Sequence, residues 1–450
     1  MYDLLIVSGR VPDFEHNVWR KGPVAVQDGK IVAVGDEVRS TEARTVIDAA
    51  GKIVSPGFID IHMHEEDFLN DGAHFEISVL MRNMGVTTAV GGNCGIHAQP
   101  IKAFREAAER LGGLPIHYYM LTGYNTFREE LGLGCYDTAT EDQIKHMTNR
   151  VIQEIRDGAK GVSFGGEYDP GISSEEILRV LAALDDQILV SMHYRTDAMK
   201  DFSALHEMIE LAERSGKKFQ ISHLSSYGAM GQMKEILPIL NEAIRKNPRL
   251  DYDTYPYAAF ATSIGSAVFD EGWVERWGKG YECIMLLHEP YCGVRCDREL
   301  FEKVRKEKPD MSVAGFVMEE EDIAMAIANR YGMICSDGGT SHWKGHPRSS
   351  GAFPRVLGKY VREENVLSLM DALRKMTFRP AQRLGLEGQK GVIASGADAD
   401  IVIFDPDIIS DTSDFSEACR MPVGIDFVIV GGTVVLKNGK ETGALPGQLL

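Results

Sequence analysis

The hydrophobic and polar positions divide the chain into stretches of different rhythm. Near the start stands Asp3-Leu4-Leu5-Ile6-Val7-Ser8-Gly9-Arg10-Val11, and near the end Asp426-Phe427-Val428-Ile429-Val430-Gly431-Gly432-Thr433-Val434-Val435. Both read as β-branched strands broken by a glycine turn. Val24-Ala25-Val26, Ile31 to Val34, Thr45 to Asp48 and Ala399 to Phe404 repeat the pattern. Short strands at both ends predict a small β-sandwich whose parts come from residues 1–53 and 386–450. Between them, residues 54–385 alternate differently. Apolar runs such as Gly57 to Ile61, Thr87 to Val90, Gly161 to Phe164, Gln187 to Ser191 and Lys218 to Ser222 end in polar residues. Helical patterns over Glu175 to Leu184, Ala204 to Glu213 and Met233 to Arg245 are interleaved with them. Repeated βα units imply a parallel sheet, and this many imply an α/β fold of the (β/α)8 TIM type. Residues of about 265–310, rich in Trp, Tyr, Gly and Cys, break the rhythm and read as a lid insertion.

Length and composition fit that division. The chain has 450 residues, 44% hydrophobic and 25% charged, enough for a barrel with an added module. Its net charge of −18 argues against a nucleic-acid or anionic-membrane partner, since both favour a basic surface. No apolar run approaches the roughly 18 residues of a membrane span. Met1-Tyr2-Asp3 runs straight into the first strand, so no leader is expected. The seven cysteines lack the spacing of a disulfide framework, and a reducing cytoplasm is expected. The partner expected is a small-molecule substrate, and nothing in the sequence sets an oligomeric state.

Chemistry-bearing residues recur where strands end. His62-Met63-His64 follows the run Phe58 to Ile61. Residues i and i+2 of a strand point the same way, so the two imidazoles can share an ion. Cys94 follows Thr87 to Val90 in Gly91-Gly92-Asn93-Cys94-Gly95, a setting that exposes a thiol. His193, His223 and Asp337 each close a further strand-like run. Any one of them reads as a polar cap; all of them at the rim where barrel active sites sit reads as a metal site. His74, His117, His146, His206 and His288 lack that placement and read as surface or packing residues. His342 and His346, just after Asp337, are placed near the pocket. Cys292 and Cys296 have no second pair, so no structural zinc is expected there.

These residues lie within longer motifs. They are Pro56 to His64, Gly92-Asn93-Cys94-Gly95, His193-Tyr194-Arg195, Ser222-His223-Leu224 and Tyr255-Pro256-Tyr257, then Ser336-Asp337-Gly338, His346-Pro347-Arg348, Gly351 to Leu357 and Gly396 to Asp400. Together the chain resembles the amidohydrolase superfamily and, within it, the D-aminoacylase (N-acyl-D-amino-acid deacylase) family. The resemblance implies one zinc held tightly by Cys94, His193 and His223. It implies a second, weaker position at His62, His64 and the shared Cys94. Asp337 matches the catalytic aspartate, which would take the proton from metal-activated water and return it to the leaving amine. Lys160 lies on the strand that bears a carboxylated lysine in related branches, but at a different position, and reads as structural.

An amino-acid substrate needs its carboxylate held, and Arg195, Tyr255 and Arg348 are the candidates. Arg195 reads equally as an ion pair beside the metal ligands. One departure concerns Ser225, where the family usually has a lysine. The expected activity is deacylation of N-acyl-D-amino acids. The alternatives are hydrolysis of a cyclic amide or imide, as in hydantoinases and dihydroorotases, and a catalytically silent binding protein.

Overall fold

The structure is a computed structural model, and it describes residues 1–70, 72 and 74–450. Eight parallel strands form one sheet in chain order: β1 Phe58–Asp60, β2 Val86–Gly91, β3 His117–Gly123, β4 Gly161–Gly165, β5 Leu189–His193, β6 Lys218–Ile221, β7 Leu250–Thr254 and β8 Met333–Ile334. Helices such as Ser174–Ala182, Ser203–Ser215 and Met233–Lys246 lie between them, in register with the helical patterns of the sequence. The first of these begins where Ser173 Oγ accepts the Glu176 amide, and the second ends at Gly216, with φ +64°.

Two strands are absent from the sequence reading. β3 carries His117, two tyrosines and Met120. β7 reads Leu250-Asp251-Tyr252-Asp253-Thr254, too polar to signal a buried strand. Asp251 faces outward to Arg379, 2.8 Å away, while Asp253 is fully buried.

The barrel closes at its functional rim rather than along its strands. β8 is two residues long and pairs with β7 through Asp253 and Thr254. Across the seam to β1, the Asp337 amide donates to the His62 carbonyl and the His64 amide to the Gly338 carbonyl, both at 2.8 Å. The Ser336 amide adds a 3.0 Å bond to Asp60 Oδ1.

The terminal strands form two further sheets. One holds Lys30–Val34, Val24–Gln27, Tyr2–Val7 and Ala43–Asp48 in that order. The other runs Lys440–Glu441, Thr433–Lys437, Ile425–Val430, Ile401–Phe404, Ile53–Pro56, Arg10–Asp13 and Val18–Lys21, so it joins both ends of the chain. Leu4, Ile6, Val24, Val26 and Ile47 of the first pack on Val54, Ile401, Ile403 and Ile429 of the second. The opposite face of the larger sheet, with Val402, Phe404, Val428 and Val430, joins the barrel core. The chain passes from Ile53–Pro56 straight into β1, so the sandwich anchors the strand that carries His62 and His64.

A buried charge cluster fixes this junction. Asp400 Oδ1 accepts the Gly431 amide at 2.8 Å and lies 3.2 Å from His117 Nε2, and Oδ2 is paired with Lys390. The Gln448 amide donates to His117 Nδ1, so the ring proton belongs on Nε2, facing Asp400. Burial pushes the Asp400 carboxyl up, but the His117 and Lys390 contacts outweigh it and hold the pKa well below the carboxylate range.

Between β7 and β8 an insertion carries the antiparallel strands Phe260–Ser263, Ile284–Leu286 and Ser312–Gly315 and the short helix Trp273–Trp277. Phe269, Trp273, Trp277, Tyr281 and Phe301 stack edge to face as its core. Among the described residues no helix is long and apolar enough to cross a membrane.

Asp400→Asn leaves the Lys390 ammonium, 2% exposed, with Asp398 Oδ2 at 3.0 Å as its remaining countercharge. Breaking a buried pair outright costs about 3 kcal/mol, an upper bound here because Asp398 stays in place. A lowered urea midpoint is expected, and an unchanged midpoint would show that the cluster does not hold the junction.

Candidate metal centre

The rim of the barrel gathers the chemistry. His62 and His64 follow β1, Cys94 follows β2, His193 ends β5, His223 lies two residues past β6 and Asp337 three past β8. Three of these depart from ordinary backbone geometry. Cys94, His223 and Asp337 have φ values of +55°, +32° and +50°. Non-glycine residues in that region cost of order 1–3 kcal/mol each and persist only where surroundings impose them. The Asp337 amide is held by the His62 carbonyl, and the His223 amide by Asp253 Oδ1 at 2.6 Å. The Cys94 loop is held through Gly92, whose amide donates to Glu65 Oε2 at 2.6 Å, and through Asn93, which accepts from Ser191 Oγ at 2.8 Å. Gly92 has φ +74°, which suits glycine.

Donor atoms of His62, Cys94, His223 and Asp337 all fall within 4.8 Å of one another. The Nε2 atoms of His62 and His223 are each 3.3 Å from Cys94 Sγ. Asp337 Oδ1 lies 3.5 Å from His62 Nε2 and 3.3 Å from His64 Nε2. His193 adjoins this group rather than falling within the same limit. Its ring centroid is 4.6 Å from that of His223, and its Nε2 is drawn 3.1 Å from Glu167 Oε2.

The ring nitrogens are sorted by their outer partners. Ser226 Oγ donates to the His223 carbonyl and so accepts from His223 Nδ1, 2.7 Å away, which leaves Nε2, on the Cys94 side, as the atom a metal would take. His62 Nδ1 lies 3.3 Å from Asp253 Oδ1. His193 Nδ1 is buried with no hydrogen-bond partner among the described residues. An orphaned imidazole nitrogen beside a thiolate and two aimed imidazoles is a donor set that fits a borderline-soft cation such as zinc.

The charges agree. Burial alone would push the Cys94 thiol up, but the His62 and His223 charges and a His193 contact hold it well below its ordinary value. Burial would likewise raise Asp337, yet Arg348 first, then His223, His64 and His62, keep its carboxyl well below the carboxylate range. Burial disfavours charge on His64 and His193, but contacts with Asp337, Cys94 and Glu167 outweigh it and raise both to about 9. Without a metal, protons supply the positive charge.

The predicted substrate residues divide. Arg348 is buried, with Nη1 2.9 Å from Asp337 Oδ2 and its guanidinium 4.7 Å above the Tyr255 ring. Arg195 is engaged elsewhere: Nε and Nη2 grip Glu207 at 2.9 and 2.8 Å, and Nη1 donates to the Pro170 carbonyl. The structure thus gives Arg195 the ion-pair role rather than a carboxylate-binding one. Ser225 is fully buried in the turn Leu224–Gly228, and its hydroxyl has no partner among the described residues. Asp253 and Glu167 are site residues that the sequence reading missed. Asp253 precedes Thr254-Tyr255-Pro256, and Glu167 follows the Gly165-Gly166 pair.

A cavity of about 540 Å³ opens from the cluster, lined by His64, Cys94, Tyr168, Leu287, Lys344 and Arg348 among others. A second space of about 20 Å³ is bounded by Tyr168, His193, His223 and Asp337, room for about one water.

The chain is similar to known amidohydrolases. A sequence profile described as "Amidohydrolase family" matches residues 332–436. The "D-aminoacylase" of Alcaligenes xylosoxydans xylosoxydans is 30% identical over 100% of this chain and 97% of its own. A solved structure described through "the functional role of the binuclear metal center in D-aminoacylase" superposes with a TM-score of 0.86 at 28% identity, with all of both chains covered. The structure of an N-acyl-D-glutamate deacylase from Bordetella bronchiseptica, complexed with zinc and a phosphonate mimic of the tetrahedral intermediate, gives 0.87 at 28% identity. It covers all of this chain and 99% of its own.

Metal uptake has to displace the protons on His64 and His193, which are charged below about pH 9. Their raised values also favour the metal-free fold below the ordinary histidine range of about 6.5, a contribution lost as pH rises through 9. At pH 7, therefore, zinc binding releases protons, and apparent affinity rises with pH toward 9. Titration calorimetry in two buffers of different ionisation enthalpy reads the release. Equal heats in both would contradict it.

Proposed function

The chain belongs to the D-aminoacylase family of the amidohydrolase superfamily, and we propose that it is a zinc-dependent hydrolase that cleaves the amide bond of N-acyl-D-amino acids. The observation that carries the reading is the convergence of His62, Cys94, His223 and Asp337 within 4.8 Å at the C-terminal rim of the barrel. His193 and His64 complete the set as further ligands. In this reading Cys94, His193 and His223 hold one zinc tightly, and His62, His64 and Cys94 form a second, weaker position. When bound, zinc supplies a Lewis acid and makes water acidic enough to attack near neutral pH.

The chain's own residues do the rest. Asp337 stands beside the 20 Å³ space with its carboxylate ionised, ready to take the proton of the attacking water. It then returns that proton to the leaving nitrogen, so that a carboxylic acid and a free D-amino acid depart. Arg348, over the Tyr255 ring, grips the substrate α-carboxylate. Doing so shares the charge that otherwise lowers Asp337 and makes that carboxylate a better base. His64, the half-exposed imidazole on the cavity wall, donates to the developing oxyanion when no metal occupies its position. Tyr168 and Leu287 bound the space for acyl group and side chain. The scattered cysteines suit a cytoplasmic enzyme.

Ser225 favours a second reading. With a buried hydroxyl where a cation is usual, the site has less positive charge for a free carboxylate, as a cyclic amide substrate would allow.

Two measurements test the proposal. Asp337→Asn is expected to lower kcat at least 10³-fold while the protein keeps its metal, read by steady-state kinetics and elemental analysis; a variant with wild-type turnover would exclude Asp337 as the proton carrier. A substrate panel of N-acetyl-D-amino acids, their L-enantiomers, hydantoins and dihydroorotate is expected to show turnover of D-amides. Turnover of rings alone would favour the cyclic-amide reading, and a metal-free yet active enzyme would sink both.

A further inference from the structure

Glu167 stands two residues past β4, in Gly165-Gly166-Glu167-Tyr168, and is 5% exposed. Its Oε2 lies 3.1 Å from His193 Nε2. Its Oε1 is buried with no hydrogen-bond partner among the described residues, and Arg276 Nη2 lies 3.9 Å from it. Arg276 does not belong to the barrel. It sits in the helix Trp273–Trp277 of the insertion between β7 and β8. Its Nε donates to Asp197 Oδ1 at 2.7 Å, and the neighbouring Trp277 Nε1 donates to Asp197 Oδ2 at 2.9 Å. Asp197 follows β5, four residues past His193. One guanidinium from the insertion thus faces two buried carboxylates on adjacent barrel loops.

We infer that Glu167 is the positioning residue for His193, and that Arg276 couples this positioning to the insertion covering the site. The inference rests on the metal-centre reading above. A carboxylate on Nε2 keeps the imidazole proton there and turns the Nδ1 lone pair inward. In this structure Nδ1 is the His193 ring atom left buried and unpartnered among the described residues, and the side chain contacts Cys94. The Tyr168 ring, 4.5 Å from that of His193, bounds the imidazole from the cavity side. Arg276 supplies the countercharge without which Glu167 and Asp197 would repel each other in a desolvated space. Displacement of the Trp273–Trp277 helix would therefore loosen a metal ligand, so the state of the insertion is felt at the ion.

Cobalt-loaded protein, chelator competition and melting of the metal-free chain test this. Glu167→Ala is expected to weaken metal affinity about 10–100-fold and to change the visible cobalt spectrum. Glu167→Gln, whose amide oxygen still accepts from Nε2, is expected to recover most of both. Arg276→Met is expected to weaken affinity several-fold from outside the barrel, and it serves as the readout should Glu167→Ala fail to fold. Wild-type affinity and spectrum in Glu167→Ala or in Arg276→Met, or equal losses in Glu167→Ala and Glu167→Gln, would overturn the inference alone. A wild-type chain that retains no metal would overturn the metal-centre reading with it.

Discussion

A thiolate, a carboxylate and several imidazoles crowd one largely buried space, and much of the structure serves that constraint. Each buried ion costs several kcal/mol unless its partners lie close and its remaining lone pairs are filled. The structure satisfies this with layers. Cys94 and Asp337 face histidines, and Asp253, Ser226, Glu167 and Arg348 occupy the far sides of those groups. Asp253 is tied through Gln220 to Arg383, so the support runs to the barrel wall. A cation at the centre replaces the protons that otherwise balance the charge.

The seam of the barrel is part of the same solution. Between β8 and β1 the sheet is stitched by backbone bonds of His62, His64, Asp337 and Gly338. Residues that close the fold are those that hold the donors, so geometry at the site and integrity of the barrel are linked. Left-handed backbone at Cys94, His223 and Asp337 is strain that such closure can impose. The sandwich extends the arrangement, because its strand Ile53–Pro56 feeds directly into β1. A helix from the insertion adds a further connection, with Arg276 placed behind His193.

Legibility followed burial and period. β2 and β4 were visible because strands covered on both faces read as apolar runs. β7 was not, because Asp253 occupies a position where a neutral apolar residue would have signalled a strand. The donors were legible because each stands where an apolar run stops and a polar residue begins. Their supporting residues were not. Glu167 and Asp253 belong to different βα units from the histidines they touch, and nothing in local sequence joins residues 26 or 191 positions apart.

The sequence by itself determined the alternation of strands and helices, the split sandwich, and the residue types at the barrel rim. Those follow from local periodicity and from the chemistry of His, Cys and Asp side chains. Tertiary structure decided which donors come within reach of one another. It brought His62, Cys94, His223 and Asp337 together, set His193 Nε2 against Glu167, and turned Arg195 away to Glu207. The physical reason is that donor distance and ring orientation depend on partners brought together only when the barrel closes, and closure sums contacts that no local window of the chain contains.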